Sequence, residues 1–343
     1  MRSFILEYKR RAKKEEEEQI NSSNDVGIDI HINLWKSTDQ DKMSIFDFGF
    51  MISDIERVDE IILYCPFKIE KVEDLGETII DSKTTDAIFN ERCAVEIFYP
   101  KRCRITKKGE YTNLGKKGNE EDEKSFILYS LNEDQLEAIN EKGREYSKIR
   151  IKTDTILTED EKDGKDELKE IKEYYFRIRI FTENGTTSII KRENEKANIL
   201  QDVSFRTTEI IDFRINDLRS SPNELKEEFL RTPRFKINQV HYLIIRDSTD
   251  EFIEVGDSKV TSRILEKEIW NGYTKTINIG NSDKIAYHIK KKGDISTFSY
   301  LARFKYPSNI LPRALKYIFI GLVLSIFYSF AYDILKLSFK FLL

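Results

Sequence analysis

The stretch VGIDIHINL, residues 26–34, alternates apolar and polar side chains along its whole length. Val26, Ile28, Ile30, Ile32 and Leu34 are apolar, and the positions between them hold polar residues or glycine. Successive side chains of a β-strand point to opposite faces of its sheet. The alternation therefore predicts a half-buried β-strand with one face in a core.

The same patterning continues outward from this stretch over most of the chain. Phe46, Phe48, Phe50 and Ile52 repeat the alternation. Further predicted strands are 60–67, 94–99, 126–131, 148–157, 174–182, 188–192, 207–217, 241–248, 273–279, 284–289 and 297–305. Many short strands separated by turns predict a mainly β body, antiparallel and sandwich-like, with a few surface helices.

Composition divides the chain into five segments. Residues 1–25 form a charged N-terminal segment, 26–157 a first β-rich domain, 158–173 an acidic linker or loop, 174–310 a second β-rich domain, and 311–343 a membrane-anchoring C-terminal helix. The segment 158–173, TEDEKDGKDELKEIKE, has few apolar side chains and is the predicted boundary. One large domain that carries this segment as an exposed loop is the alternative.

The C-terminal segment is the most apolar part of the sequence. Residues 317–332, YIFIGLVLSIFYSFAY, carry no charge. Extended to Leu335, a helix of this run would cover roughly 28 Å, close to the hydrocarbon thickness of a bilayer. We expect a single transmembrane helix, with an in-plane or re-entrant helix as the alternative. The expected membrane-interface residues are Arg313, Lys316, Tyr317, Tyr332, Lys336 and Lys340.

A pattern within this helix predicts association between helices. Gly321, Ser325, Ser329 and Asp333 recur at a spacing of four and form a slanted stripe on one side of the helix. Small residues at this spacing let helices approach closely in lipid, and an acid tolerates a partner helix or water better than lipid. The stripe is therefore expected to line a homo-oligomer or a pore. The alternative is that Asp333 only reaches the head groups.

Charge and cysteine content limit where the protein acts. The chain of 343 residues has a net charge of −4, and its last 33 residues carry four cations and one anion, so the first 310 residues carry −7. An acidic body argues against a protein that coats DNA, while a basic C-terminal segment suits anionic lipid. The three cysteines lack a C-x-x-C pair and are expected to be reduced thiols. No signal peptide is recognisable, so we expect a single-pass membrane protein with its body in the cytoplasm.

A basic segment between two predicted strands is the candidate anion-binding loop. Its cations are Lys101, Arg102, Arg104, Lys107, Lys108, Lys116 and Lys117. Such a loop could hold a phosphate, a lipid head group or a nucleotide. A solvated hairpin loop is the alternative, since the spacing matches no phosphate-binding motif.

Catalytic motifs are absent from the sequence. It contains no H-E-x-x-H, G-x-S-x-G, G-x-x-x-x-G-K-[ST] or G-x-G-x-x-G pattern. Three histidines, His31, His241 and His288, stand far apart, each in a strand-like run, and are interpreted as residues of sheet faces. The sequence therefore gives no catalytic residue, cofactor or metal ligand, and leans against an enzyme.

These patterns favour a membrane-anchored sensor or effector. Its β-rich body would bind a ligand or protein partner and control oligomerisation of the C-terminal helix, which could form a channel, as in bacterial antiviral defence. One alternative is a passive membrane-anchored adaptor that binds a protein partner. Another is a membrane-bound enzyme with no recognisable motif. Dependence on the sequence of the helix, rather than on its hydrophobicity alone, separates the first interpretation from the second.

Overall fold

The computed structural model describes most of the chain, including most of each predicted strand. The described residues are 1–11, 25–36, 44–98, 101–108, 124–154, 156, 171–182, 188–194, 206–253, 259–307 and 310–342. Within the helix at 310–342, several side chains lie outside this description. Lys116, Lys117 and the predicted boundary up to residue 170 also lie outside the described residues.

Eighteen β-strands are present in the described residues. They are β1 (Ile5–Arg10), β2 (Gly27–Trp35), β3 (Ile45–Ser53), β4 (Val58–Cys65), β5 (Ile69–Asp74), β6 (Arg92–Phe98), β7 (Arg102–Lys108), β8 (Lys124–Tyr129), β9 (Leu136–Asn140), β10 (Ser147–Lys152), β11 (Glu173–Thr182), β12 (Ile190–Asn194), β13 (Arg206–Ile215), β14 (Lys236–Asp247), β15 (Glu251–Ile253), β16 (Val260–Ile264), β17 (Lys284–Ile295) and β18 (Phe298–Pro307). The prediction of a mainly β fold is confirmed.

Four α-helices accompany the strands in the described residues. They are α1 (Ser82–Phe89), α2 (Asn223–Arg231), α3 (Lys267–Trp270) and α4 (Ile310–Leu342), with 3-10 turns at Ile55–Arg57, Glu77–Ile79 and Leu218–Ser220. Helix α1 begins at an Asp81 cap, whose carboxylate accepts from the Thr84 amide, and ends at Asn90 in the left-handed conformation (φ 55°). Residues 273–279, predicted as a strand, form turns instead.

The strands form three sheets. The ten-stranded sheet runs in the order β16-β17-β14-β2-β3-β11-β8-β7-β6, with β5 also paired to β11. Two four-stranded sheets have the orders β1-β4-β10-β9 and β12-β13-β18-β15. Most neighbours are antiparallel, but β14 pairs with β2, and β11 with β8, in parallel. The ten-stranded sheet is therefore mixed, whereas the strand pairs of both four-stranded sheets are all antiparallel.

One face of the ten-stranded sheet packs on both smaller sheets and forms the main core. The alternating side chains of β2 and β3, such as Ile30 and Phe48, meet Leu63 of β4 and Phe213 of β13 in this core. The two smaller sheets meet at a bridge between Phe4 and Ile215. Burial of this apolar face is the dominant stabilising contribution, at roughly 25 cal/mol per Å² removed from water.

Strands from both predicted β-rich domains pair within the ten-stranded sheet. Strand β3 pairs with β11, placing Phe50 opposite Phe176, and β2 pairs with β14. The sequence boundary at 158–173 therefore separates strands that share a sheet and a core.

Helix α4 spans 33 residues and exposes large apolar side chains. The most exposed are Tyr328, Phe327 and Ile326, at 76%, 70% and 69%. In the part of the chain that the structure describes, no helix combines the length and the apolarity needed to cross a membrane.

Candidate functional site

The face of the ten-stranded sheet that lies opposite the main core carries polar side chains. Register aligns one row across five strands: Lys290 of β17, His241 of β14, His31 of β2, Gly49 of β3 and Arg177 of β11. Because the side-chain period of a strand is two, these residues share a face. The alternation that buries Ile30 and Ile32 thus turns His31 toward this polar face.

Three histidines meet on this face. The His31 and His241 ring centroids are 4.9 Å apart, and the His241 and His288 rings stack at 5.1 Å with an interplanar angle of 18°. His241 Nδ1 lies 3.0 Å from His288 Nε2. Residues separated by 210 and 47 positions in the chain therefore form one cluster, which we call the histidine cluster.

Neighbouring polar groups surround the histidine cluster. The Gln239 amide contacts His241 Nε2, and His241 Nδ1 contacts His288 Nε2. The Tyr175 hydroxyl accepts a hydrogen bond from Arg177 Nη1 (2.8 Å) and lies 3.4 Å from His31 Nδ1. The three imidazoles therefore belong to one hydrogen-bonded group of side chains.

The electrostatic environment keeps all three rings neutral. Burial lowers the pKa of His31 well below 6.5, and the charges of His241 and Arg177 lower it further. Burial and the nearby Lys290 lower the pKa of His241 to about 3. The pKa of His288 is lowered by burial, Lys290 and Arg263. Near pH 7 the imidazoles are uncharged and the positive charge comes from lysine and arginine.

A cleft of about 890 Å³ lies above the histidine cluster. Strands β7, β8, β11, β14, β16 and β17, the loop after α1, and α3 all contribute to its lining. Its cationic lining residues are Lys107, Lys124, Arg177, Arg263, Lys290 and Lys292, and its acidic ones are Asp29, Glu91 and Glu173. We call this space the histidine cleft. A volume of this size accommodates a small organic ligand.

Two lysines on the same face of β17 crowd together at the edge of the cleft. Partial burial and the neighbouring charge of Lys292 lower the pKa of Lys290. Across the cleft, Lys107 lies over the Phe89 ring at 5.3 Å and 3.7 Å from Glu91. Its charge also contributes to the lowered pKa of His241. Cations thus face the histidine cluster from both sides, an arrangement that favours a bound anion.

A buried ionic network supports the floor of the cleft. Arg177 Nε donates to the Tyr273 hydroxyl (2.7 Å), and Tyr273 donates to Asp47 (2.7 Å). Asp47 also accepts from Arg179 Nε (2.7 Å) and Trp35 Nε1 (2.6 Å). Asp47, Arg179 and Arg177 are at most 1% exposed. These bonds, together with donation from Nη1 to the Tyr175 hydroxyl, orient Arg177 and identify it as a supporting residue of the floor.

Gly49 leaves room for that network. Any Cβ at Gly49 would overlap the Tyr175 hydroxyl and lie 3.0 Å from Arg177 Nη1. Both side chains pass over the glycine from β11, two strands away from His31. The close approach of side chain to backbone is the physical reason for glycine inside this strand.

The predicted anion-binding loop is a strand where the structure describes it. Arg102–Lys108 form β7, and Lys101 lies in the preceding turn. Arg102 is buried, and its Nη2 donates to the Ile156 carbonyl (3.0 Å). Arg104 lies on the same side of β7 as Arg102, whereas Lys107 faces the cleft. Of the described members of the predicted loop, Lys107 lines the cleft.

The residues predicted for the membrane lie along α4. Gly321, Ser325 and Ser329 are exposed, as are Tyr332 and Lys336. The remaining predicted residues of the helix have side chains outside the described set: Arg313, Lys316, Tyr317, Asp333 and Lys340. Their roles stay predictions.

The histidine cluster could not be predicted from the sequence, because alternation predicts strands and their faces but not the order of strands in a sheet. The available signal was that each histidine occupies the polar phase of an alternating run, as His31 does between Ile30 and Ile32. In the described parts of the chain, no group of three or more His, Cys, Asp or Glu side chains is placed to hold a metal ion.

The chain matches no model of a known protein family and no curated protein sequence. The geometry of the histidine cleft and the exposed surface of α4 therefore carry the functional interpretation.

Proposed function

We propose that this chain is a membrane-attached receptor whose β-rich body binds a small phosphate-bearing anion in the histidine cleft. The observation that carries the proposal is the convergence of three neutral histidines and flanking lysines on one concave face. Charge-assisted hydrogen bonds from lysine to phosphate oxygens are among the stronger polar contacts in proteins. An anion between two closely spaced ammonium groups, such as those of Lys290 and Lys292, offsets their mutual repulsion and is therefore bound more strongly.

Binding of inorganic pyrophosphate to the full chain tests the anion site. We expect the double variant Lys290→Glu/Lys292→Glu to bind pyrophosphate at least tenfold more weakly, because two attractive charges become repulsive. Lys291→Glu is the matched control, since it lies between the two on β17 with its side chain on the opposite face. Calorimetric titration measures all three proteins. Equal affinities for the double variant and the control would contradict the proposal.

The same titration has a predicted pH signature. An anion stabilises the imidazolium form, so pyrophosphate raises the histidine pKa values from their lowered starting points, about 3 for His241. Proton uptake on binding and a rise in affinity are therefore expected as pH falls from 7 toward the raised pKa values of the complex. Titrations at each pH in two buffers with different ionisation enthalpies measure the uptake, after subtraction of the protonation change of pyrophosphate itself. Absence of any uptake by the protein between pH 7 and about pH 5 would contradict contact between the histidines and the anion.

The α4 helix supplies the membrane attachment in this proposal. Its described side chains from Ile318 to Tyr332 present apolar groups to solvent, and exposed apolar patches of this extent mark interaction surfaces. The flanking cations and tyrosines of the sequence suit head groups. Lipid is the partner that satisfies both the apolar exposure and the basic ends, with the helix lying within one leaflet.

Oligomerisation through α4 is the effector step of the proposal. Gly321, Ser325 and Ser329 are exposed on the helix, and space around Gly321 is open. In detergent we expect the full chain to run as an oligomer and Gly321→Leu/Ser325→Leu to shift it toward monomer, because larger side chains keep the helices apart. Leu324→Val, which lies off the stripe, is the control. Size-exclusion chromatography with light scattering measures the mass. An unchanged oligomer in the double variant would contradict association of the helices through the stripe.

A further inference from the structure

The histidine cleft is larger than the binding of an inorganic anion requires, and the residues that line it are chemically more varied. Its volume of about 890 Å³ is in the range of pockets that hold organic ligands. The floor changes in character along its length. In register with Asp29 of β2 stand Gln239 and Lys292. In register with Trp35 stand Ile245 and Ala286, followed by Arg263 on the outer strand β16. At about 3.3 Å per residue, these two ends are roughly 20 Å apart.

The end of the cleft lined by Trp270 of α3 is aromatic, and we call it the aromatic end. Trp270 contacts Trp35 edge-to-face there, with ring centroids 5.9 Å apart, and Arg263 is the cation in register with this end. Phe89 and Phe126 add a second aromatic group, 4.9 Å apart, beside the histidine cluster. Aromatic side chains provide flat apolar contacts for planar rings, which a bare phosphate does not use.

The lining of the cleft also contains amide groups. Asn33 of the floor and Asn90 at the end of α1 both line it. Donors and acceptors beside aromatic rings are the chemistry that recognises the edge of a heterocyclic base.

We infer that the ligand of the histidine cleft is a nucleoside phosphate, with its phosphate at the lysine end and its base against the aromatic end. The inference rests on the proposed anion site and adds the organic part of the ligand. Lys290, Lys292 and the histidine cluster contact the phosphate, while the Trp270 ring provides an apolar contact for the base. A polyphosphate without a ring would leave the Trp270 end unfilled.

Tryptophan fluorescence tests this inference directly. The chain has two tryptophans, Trp35 and Trp270, and they contact each other at the aromatic end. The full chain is titrated with adenosine and guanosine 5′-monophosphates and 5′-triphosphates, with ribose 5-phosphate and pyrophosphate as ligands that lack a base. We expect at least one nucleotide to bind tenfold or more tightly than its base-free counterpart and to quench the fluorescence.

A variant of Trp270 separates the base contact from the phosphate contact. Trp270→Leu keeps an apolar side chain but removes the aromatic ring, so we expect about tenfold weaker nucleotide binding and unchanged pyrophosphate binding. If pyrophosphate binds and no nucleotide binds more tightly, the nucleotide inference fails while the anion site stands. If inositol hexakisphosphate outcompetes every nucleotide, the ligand is a base-free polyphosphate and the inference is overturned. If no anion binds, the proposed function itself fails.

Discussion

Replacing Asp47 with Ala is expected to lower the free energy of unfolding by about 3–5 kcal/mol, because it leaves a buried arginine without its counter-ion. Arg179 is fully buried and holds Asp47 through Nε at 2.7 Å and Nη2 at 3.1 Å. The variant also removes the acceptor for Tyr273 and Trp35. Urea-induced unfolding of the full chain, followed by far-ultraviolet circular dichroism, measures the change.

Two comparisons make this expectation specific to the buried network. Asp212→Ala removes a carboxylate that pairs with Arg214 at 2.6 Å, but both side chains are about a quarter exposed, so we expect a loss of at most about 1 kcal/mol. Asp47→Asn keeps the acceptor oxygen without the charge, so its loss in the free energy of unfolding should fall between those of Asp47→Ala and Asp212→Ala. A loss below 1 kcal/mol for Asp47→Ala would show that the network does not hold the floor of the cleft.

The effect of Asp47 has a defined pH dependence. Burial opposes its ionisation, but Arg179 and Arg177 outweigh burial and keep the pKa of Asp47 below the ordinary 3.8. A carboxyl whose folded-state pKa is lowered stabilises the fold above its unfolded pKa and loses that contribution as pH falls through the folded value. The difference in the free energy of unfolding between the native chain and Asp47→Ala should therefore persist at pH 5–7 and shrink below about pH 4.

The second large effect is expected in membrane binding. The full chain should float with vesicles of phosphatidylcholine and phosphatidylglycerol, and Leu322→Asp/Ile326→Asp should remain at the bottom of the gradient. Each substitution places a carboxylate on the exposed apolar surface of α4, where transfer into lipid is opposed by about 3 kcal/mol, or roughly a hundredfold in partitioning. Flotation with quantification of each fraction measures the loss.

The control for the flotation experiment lies on another helix. Leu230 of α2 is 67% exposed, similar to Leu322 at 59% and Ile326 at 69%. Leu230→Asp adds a carboxylate to an exposed leucine of the body and should leave flotation unchanged. Equal flotation of the α4 double variant and the native chain would show that the apolar surface of α4 does not contact lipid.

Strand faces were predictable from sequence because alternation is a local property. The pattern of residues 26–34 gave β2, and that of residues 46–52 gave β3, with Ile28 and Phe48 in the core as expected. Locality also explains the error at residues 273–279. Tyr273 is buried there because its hydroxyl joins Arg177 and Asp47, not because it lies in a sheet.

The candidate site was predictable only in fragments. Lys107 was singled out as part of a basic segment, and it lines the cleft. The histidines were read as residues of sheet faces, which is where they lie, but their convergence was missed. Parallel pairing of β2 with β14 places His31 beside His241, although 210 positions separate them. Periodicity carries no information about which strands become neighbours.

By itself the sequence determined the mainly β class, the phase of the polar and apolar faces, and the apolar composition of the C-terminal helix. Each of these follows from side-chain chemistry at fixed local spacing. The tertiary structure alone decided strand order, the row that joins Lys290, His241, His31 and Arg177, and the burial of Asp47 against Arg179. These depend on contacts between distant segments, whose free energy is gained only when the whole sheet is assembled.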